Sequence, residues 1–122
     1  MPATDIAWAE EVLQVIVGRQ LSSVEFVQDY VQLKFDGPGL TAITQPTVEV
    51  DGRTFRWSEP GYRDELCGRI ARKVSSARVL PRDSVRITFD DKAVVRVSLR
   101  RDDYRAEEAV KFDATPATWW VL

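Results

Sequence analysis

Histidine is absent from this chain of 122 residues, and cysteine occurs once, as Cys67. Without histidine, the commonest general base, the usual zinc ligand and the Ser–His and Cys–His nucleophile pairs are all missing. A single cysteine allows neither an intrachain disulfide nor a thiol cluster for zinc. The composition therefore predicts a protein that is not an enzyme and that holds neither a metal nor a cofactor.

Long apolar runs are missing as well, because no stretch approaches the roughly 18 residues needed to cross a bilayer. The first five residues lack the basic segment and apolar run of a secretory signal, which favours a cytoplasmic location and no membrane contact. The 17 basic and 19 acidic residues give a formal charge of −2, which disfavours nucleic-acid binding through broad electrostatics. With 44% hydrophobic and 30% charged residues, the composition is that of one globular domain, 1–122.

What the sequence does contain is a pattern that occurs twice. Leu21 in Leu-Ser-Ser-Val corresponds to Val74 in Val-Ser-Ser-Ala, and Asp29 in Asp-Tyr-Val-Gln-Leu-Lys-Phe corresponds to Asp83 in Asp-Ser-Val-Arg-Ile-Thr-Phe. Two copies about fifty residues apart favour one pseudo-symmetric domain, because a solenoid needs at least three repeats. We therefore expect two helix–three-strand units, over about 5–45 and 60–100, packed about a pseudo-twofold axis.

The first unit shows the change from helical to strand periodicity. Apolar residues recurring at three- and four-residue steps predict a helix over 5–17, with Thr4 as its N-cap. Strict alternation then predicts an antiparallel hairpin with its turn at 28–29, which pairs Phe26 with Val31. A third strand is expected at about 40–45.

The second unit opens with Pro60-Gly61, which predicts a helix over about 62–73. Its apolar stripe would be formed by Tyr62, Leu66 and Ile70. Three further strands are expected at 75–80, 84–90 and 93–100.

Two segments lie outside both units. Asp51-Gly52 is a strong signal for a type I′ turn and predicts an inserted hairpin over 47–57. In the C-terminal extension, 101–122, Asp102 or Asp103 would cap a short helix through Glu107, Glu108 and Val110. Residues 117–122 are expected to form a final strand. Together the elements predict an α+β fold with a largely antiparallel sheet or a partly open barrel, and the sequence leaves this closure undecided.

Most chemistry-bearing residues have a local structural explanation. Adjacent acidic residues such as Asp90-Asp91 suit turns, caps or solvated faces better than one shared substrate atom. Cys67 lies beside the apolar stripe and is expected to be an inert core thiol. The paired serines at 22–23 and 75–76 mark helix-to-strand connections. No catalytic residue is therefore assigned.

Aromatic residues are the better candidates for binding. Trp57, Tyr62 and Arg63 would line a pocket between the two repeat units, in which aromatic side chains accompany one charged anchor. Two adjacent tryptophans on a strand point to opposite faces, so Trp119 and Trp120 cannot both enter one core. One of them is expected at an interface, where tryptophan is enriched.

The run from Gly18 to Phe26, the alternating run from Asp29, and Pro60-Gly-Tyr-Arg-Asp-Glu-Leu-Cys resemble small bacterial proteins grouped as domains of unknown function. The resemblance covers about residues 18–100 and rests on structural positions. It implies no activity and no functional residues.

Three functional hypotheses follow from the sequence. The first is a non-enzymatic protein-interaction module, partner-binding or immunity-type, which includes self-association as a homodimer. The alternative is a small-ligand-binding protein with the pocket described above. The third is a carboxylate-based hydrolase, which needs two acids converging from different strands.

Overall fold

The computed structural model describes residues 5–122, and within that range it contains two α-helices, two 3₁₀ helices and ten strands. The helices are α1 (Ile6–Leu13) and α2 (Tyr62–Cys67), with 3₁₀ helices at Gln14–Ile16 and Arg101–Asp103. The strands are β1 (Ser23–Val27), β2 (Tyr30–Lys34), β3 (Gly39–Ala42), β4 (Thr47–Val50), β5 (Arg53–Phe55), β6 (Val74–Leu80), β7 (Ser84–Phe89), β8 (Val94–Ser98), β9 (Val110–Thr115) and β10 (Thr118–Val121).

The strands form two separate antiparallel sheets of five strands each. Sheet one has the order β1-β2-β3-β9-β10, and sheet two has the order β5-β4-β8-β7-β6. The α+β class and the antiparallel pairing are confirmed. The expectation of a single sheet or a partly open barrel is wrong. The three-strand meander β1–β3 pairs with the β9–β10 hairpin, and the meander β6–β8 pairs with the β4–β5 hairpin, so each sheet ends in open edges.

The hairpins have the registers that the sequence predicts. In sheet one, Phe26 pairs with Val31 across the turn at 28–29. In sheet two, Val48 pairs with Phe55. Positive φ angles at both central residues of that turn, 51 and 52, fit the predicted type I′ geometry. These turns are set by local sequence, which explains the agreement.

Helix α1 is shorter than the predicted 5–17, because the last part of that segment tightens into the 3₁₀ helix. The carboxylate of Asp5 caps α1 and accepts hydrogen bonds from the backbone N–H groups of Ala7 (2.9 Å) and Trp8 (3.4 Å). Thr4, the predicted N-cap, lies outside the described residues. Gly18 follows with a φ of +85°, the conformation expected of a residue that ends a helical segment.

Helix α2 has six residues, so the prediction of a helix over 62–73 is wrong at its C-terminal end. Gly68 caps the helix, and Ala71 adopts a φ of +75° that no α-helix accommodates. The backbone turns there because it bonds to the first half of the chain: the Ala71 N–H donates to the Leu21 carbonyl at 2.8 Å. Ile70 is consequently 41% exposed and does not join the apolar stripe.

The predicted short helix in the C-terminal extension is also wrong. The 3₁₀ helix at Arg101–Asp103 takes its place, and Val110 begins strand β9. Alternate burial along β9 explains the strand, since Val110 and Phe112 face the core while Lys111 faces solvent. Strand β9 pairs with β3, where Leu40 lies opposite Phe112, and the predicted final strand β10 completes sheet one.

A single hydrophobic core is shared by the helices and both sheets. Buried members from each part include Leu13 of α1, Leu66 of α2, Leu33 and Phe112 of sheet one, and Ile87 and Val97 of sheet two. The division into one domain over 1–122 stays a prediction.

The two helix-to-strand connections, 17–22 and 70–74, bond directly to each other. Four backbone hydrogen bonds join them: Gly18 N–H to Val74 O (2.8 Å), Val74 N–H to Arg19 O (2.8 Å), Ala71 N–H to Leu21 O (2.8 Å) and Leu21 N–H to Arg72 O (3.0 Å). These are the segments that the repeat pattern aligns, although packing about a twofold axis stays a prediction.

Candidate functional site

The structure brings together three of the predicted binding residues, Trp57, Tyr62 and Arg63, because the loop after β5 leads directly into α2. They line an open cleft of about 340 Å³. The remaining lining residues are Ser58, Glu59, Gly61 and Asp64.

Two aromatic rings, those of Trp57 and Tyr62, form part of the wall of this cleft. The rings of Trp57 and Tyr62 meet edge to face with their centroids 5.7 Å apart, and Trp57 also lies 6.4 Å from Phe26 of β1. The guanidinium of Arg63 lies 5.2 Å from the centroid of the Phe26 ring. Phe26 therefore packs behind two residues of the cleft without lining it. The sequence did not reveal these contacts, because the alternation of Phe26 with Val24 indicates only an inward-facing strand position.

Tyr62 serves the fold more than the cleft. Its hydroxyl is buried and donates a 2.6 Å hydrogen bond to the Pro46 carbonyl, which ties α2 to the start of β4. Burial raises the pKa of Tyr62 well above its ordinary value of 10.0. The phenol therefore stays protonated at neutral pH, and its hydroxyl is already engaged.

The loop of the cleft is shaped by two local contacts. The Glu59 carboxylate accepts a 2.6 Å hydrogen bond from the Arg56 N–H, which closes the turn. Gly61 has a φ of +86°, and a Cβ at this position would lie 3.2 Å from the Phe55 ring, so glycine is favoured on both counts. Pro60-Gly61 thus starts α2 as predicted.

Trp119 and Trp120 lie on opposite faces of β10, as predicted, and neither lines the cleft. Trp120 is 2% exposed, and its ring centroid is 5.5 Å from that of Phe112. Its indole N–H makes no hydrogen bond to the described residues. Trp119 is 49% exposed, and the Lys111 ammonium lies 5.3 Å from the centroid of its ring.

Asp90 and Asp91 occupy the turn between β7 and β8, where arginines engage both. Arg69 is only 7% exposed and makes a close ion pair with Asp91, while Arg72 lies 3.6 Å from Asp91 and 3.9 Å from Asp90. Asp91 also accepts a 3.1 Å hydrogen bond from the Ala93 N–H. Nothing in the sequence indicated that Arg69 is buried, because a basic residue near the end of a helix normally suits the helix dipole at the surface.

The other side chains considered for chemistry have structural surroundings. The Ser22 hydroxyl donates to the Lys34 carbonyl and the Ser75 hydroxyl to the Thr88 carbonyl, both at 3.1 Å. Each hydroxyl thus bonds to a neighbouring strand, β2 or β7, and has a structural role. Cys67 is half-buried rather than fully buried. Across residues 5–122, no three His, Cys, Asp or Glu side chains are grouped as metal ligands would be.

None of the helices in the described part of the chain has the length and apolar character needed to span a membrane. The chain was compared with protein-family models, curated proteins and solved structures, and it matches none of them.

Proposed function

We propose that this chain is a non-enzymatic protein-interaction module, partner-binding or immunity-type, whose contact surface is the outer side of the β9–β10 hairpin. The observation that carries the proposal is the exposure of Trp119 on a strand at the end of sheet one. A half-exposed indole leaves a large apolar area in water, and burying it against another chain would recover that free energy.

The surroundings of Trp119 suit a binding anchor. Lys111 and Asp113, 3.8 Å apart, lie on the neighbouring strand, so charged groups border the indole as they border the core of an interface. Trp120 and Phe112 pack on the opposite face and hold the strand in place. A tryptophan on a rigid strand loses little conformational entropy on binding, which is why this residue type dominates interface hot spots.

The surroundings of the acidic residues also favour binding over hydrolysis. Asp29 bonds to Arg105 at 3.2 Å and Glu49 to Arg96 at 2.9 Å. A hydrolase with two carboxylates needs both of them directed at one substrate bond. The carboxylate hydrolase therefore remains the least favoured hypothesis.

A second candidate function is small-ligand binding in the cleft beside Trp57. The volume of about 340 Å³ lies at the lower end of the range for ligand pockets. The Tyr62 hydroxyl is already bonded and Arg63 is already stacked on Phe26, which leaves Trp57 as the main free surface. For that reason it ranks second.

The proposal is tested by comparing Trp119→Ser with Trp8→Ser, since Trp8 is 42% exposed on α1 and provides a matched loss of surface indole. Sedimentation equilibrium over rising protein concentration and native mass spectrometry of the tagged protein from its own cells measure the association. We expect Trp119→Ser to weaken the complex, or the homodimer, and Trp8→Ser to leave it unchanged.

A strict monomer with no bound polypeptide would contradict the interaction module. A small mass retained on that monomer, and lost in Trp57→Ala, would favour the ligand-binding alternative instead.

We further infer that the units at 5–45 and 60–100 are related by the pseudo-twofold axis. In each sheet a three-strand meander lies beside a two-strand hairpin. The hydrogen bonds between the two connections occur as two equivalent pairs under the repeat alignment. Gly18 and Ala71, which both have positive φ angles, are equivalent under this alignment too.

A cytoplasmic location is part of the proposed function and is supported by the single cysteine.

A further inference from the structure

Three arginines form a row across the outer face of sheet two. Arg78 of β6 lies directly opposite Arg86 of β7, and Arg86 lies directly opposite Arg96 of β8. Like charges that face each other across strands destabilise a sheet. A row of this kind therefore has to be compensated by negative charge.

The two outer arginines are compensated within the chain. Arg78 Nε lies 3.0 Å from the Glu10 carboxylate, and Arg96 donates a 2.9 Å hydrogen bond to Glu49. The central Arg86 differs, because its closest carboxylate oxygen, on Asp83, lies 3.7 Å away, beyond hydrogen-bonding distance.

The Arg86 side chain also contains a buried donor without a partner. Its Nε makes no hydrogen bond to any residue in 5–122. A buried donor left unsatisfied carries a desolvation penalty, and a guanidinium is built to present its N–H groups in pairs to an oxyanion. Arg86 is thus the member of the row with unused binding capacity.

A depression of about 280 Å³ lies at this point of the sheet. It is lined by Arg86 and Arg96 together with Gln45, Thr47, Asp83, Ser84 and Ser98. Asp83 is its single acidic residue, and that carboxylate accepts a 2.7 Å hydrogen bond from the Ser84 hydroxyl.

We propose that this depression is a binding site for a small oxyanion of the phosphate or carboxylate class, with Arg86 as the principal donor and Arg96 as the second positive charge. The anion supplies a hydrogen-bond acceptor to Arg86, whose charge Asp83 balances from 3.7 Å without a hydrogen bond. The site lies on sheet two and does not depend on the interaction surface around Trp119.

Asp83 gives the proposal a distinctive feature, because its carboxylate repels an incoming anion. Replacing it with asparagine removes that repulsion and frees Arg86 from its distant partner. Asp83→Asn therefore strengthens binding while Arg86→Gln weakens it. Saturation of the titration, together with a small effect of Arg78→Gln, distinguishes this site from non-specific attraction to surface arginines.

The experiment is a titration of the full chain with inorganic phosphate, and separately with acetate, followed by amide chemical shifts in NMR at constant ionic strength. Sodium chloride provides the control for screening. We expect saturable shifts at 84, 86, 96 and 98, with a dissociation constant on the order of 1 mM for the better anion. Tighter binding of phosphate would assign the site to phosphorylated ligands, and tighter binding of acetate would assign it to carboxylates.

Arg86→Gln is expected to weaken binding about tenfold, since it removes charge-assisted hydrogen bonds. Arg78→Gln is the matched control because Arg78 belongs to the same row but does not line the depression, and it should change binding less than twofold. The dispersion of the amide spectrum shows whether each variant is folded. Shifts that do not saturate, or binding that a folded Arg86→Gln variant retains, would overturn the proposal.

Discussion

Helix α1 precedes the meander β1–β3, and helix α2 precedes the similar meander β6–β8. Polar contacts of different kinds attach the two helices to the sheets. Helix α1 is attached to the edge strand β6 by hydrogen bonds that lie at or near the protein surface. The Glu10 carboxylate accepts hydrogen bonds from the Val79 N–H (2.9 Å) and from Arg78 Nε (3.0 Å), and the Gln14 amide donates to the Ala77 carbonyl (2.7 Å). These side chains cover backbone groups that an edge strand would otherwise present to another chain.

Helix α2 is attached instead through two side chains that are themselves buried, Arg69 and Tyr62. Arg69, just after the helix, pairs with Asp91 in the β7–β8 turn, and Tyr62 at its start bonds to the Pro46 carbonyl. Water replaces a lost partner at the surface more readily than a buried one, so each hydrogen bond stabilises the two helices unequally. The predictions below test this difference.

The largest effect is expected for Arg69→Ala. Removing the buried guanidinium leaves Asp91 without its close partner, and we expect the free energy of unfolding to fall by about 3–5 kcal/mol. Urea denaturation followed by tryptophan fluorescence measures it. The control is Arg72→Ala, an exposed arginine near the same carboxylate, which should cost less than about 1 kcal/mol. Equal losses in both variants would refute the contrast between buried and exposed contacts.

Tyr62→Phe should come next, with a loss of about 1–3 kcal/mol, because the ring is kept while the Pro46 carbonyl loses its donor. Burial raises the pKa of Tyr62, so the wild-type stability from this group is present below pH 10.0 and falls as the pH rises further. Tyr62→Phe should abolish that alkaline loss. Tyr30→Phe is the control, and a similar stability change there would count against the role of the buried hydroxyl.

A smaller effect, about 1 kcal/mol at neutral pH, is expected for Glu10→Gln. The hydrogen bonds from Val79 N–H and from Arg78 lower the pKa of Glu10 below its ordinary value of 4.5. Its contribution is therefore present above pH 4.5 and is lost as the pH falls further, so wild type and variant should converge in acid. Thermal unfolding between neutral pH and pH 3 measures this. Glu11→Gln, next to it on α1, is the control and should match the stability of wild type at neutral pH.

The smallest effect on stability belongs to Trp119→Ser, at about 0.5 kcal/mol or less, because the indole is half exposed on a strand that other residues anchor. Chemical denaturation at a concentration where the protein is monomeric gives the value. A loss as large as that of Arg69→Ala would mean that Trp119 supports the fold rather than a partner surface.

Local signals in the sequence were sufficient for elements whose partners are close along the chain. The hairpins at 28–29 and 51–52 join strands separated by two residues, and their alternation and turn residues specify the register. The proximity of Trp57 and Tyr62 was predictable for a related reason, since one short loop separates them. The contact of Phe26 with Trp57 was not, because only the fold brings β1 to that loop.

The errors arose where distant segments determine the local structure. Helix α2 ends early because the connection at 70–74 bonds to 17–21, a contact that no helical pattern reveals. The segment around Val110 carries acidic residues that suit a helix, but pairing of β9 with β3 makes it a strand. The Arg69–Asp91 pair was likewise invisible, because a basic residue after a helix is normally solvated.

The origin of the two sheets along the chain has a consequence for the order of folding. Sheet two is built from one continuous stretch, β4 to β8, whereas sheet one joins β1–β3 to a hairpin that follows the whole of sheet two. Closing the loop between β3 and β9 costs more entropy than any pairing within sheet two. We therefore expect sheet two to be completed before sheet one during synthesis. Strand β3 then keeps an unpaired edge until residues 110–113 have left the ribosome. In this interval the nascent chain is most exposed to strand exchange with a neighbour.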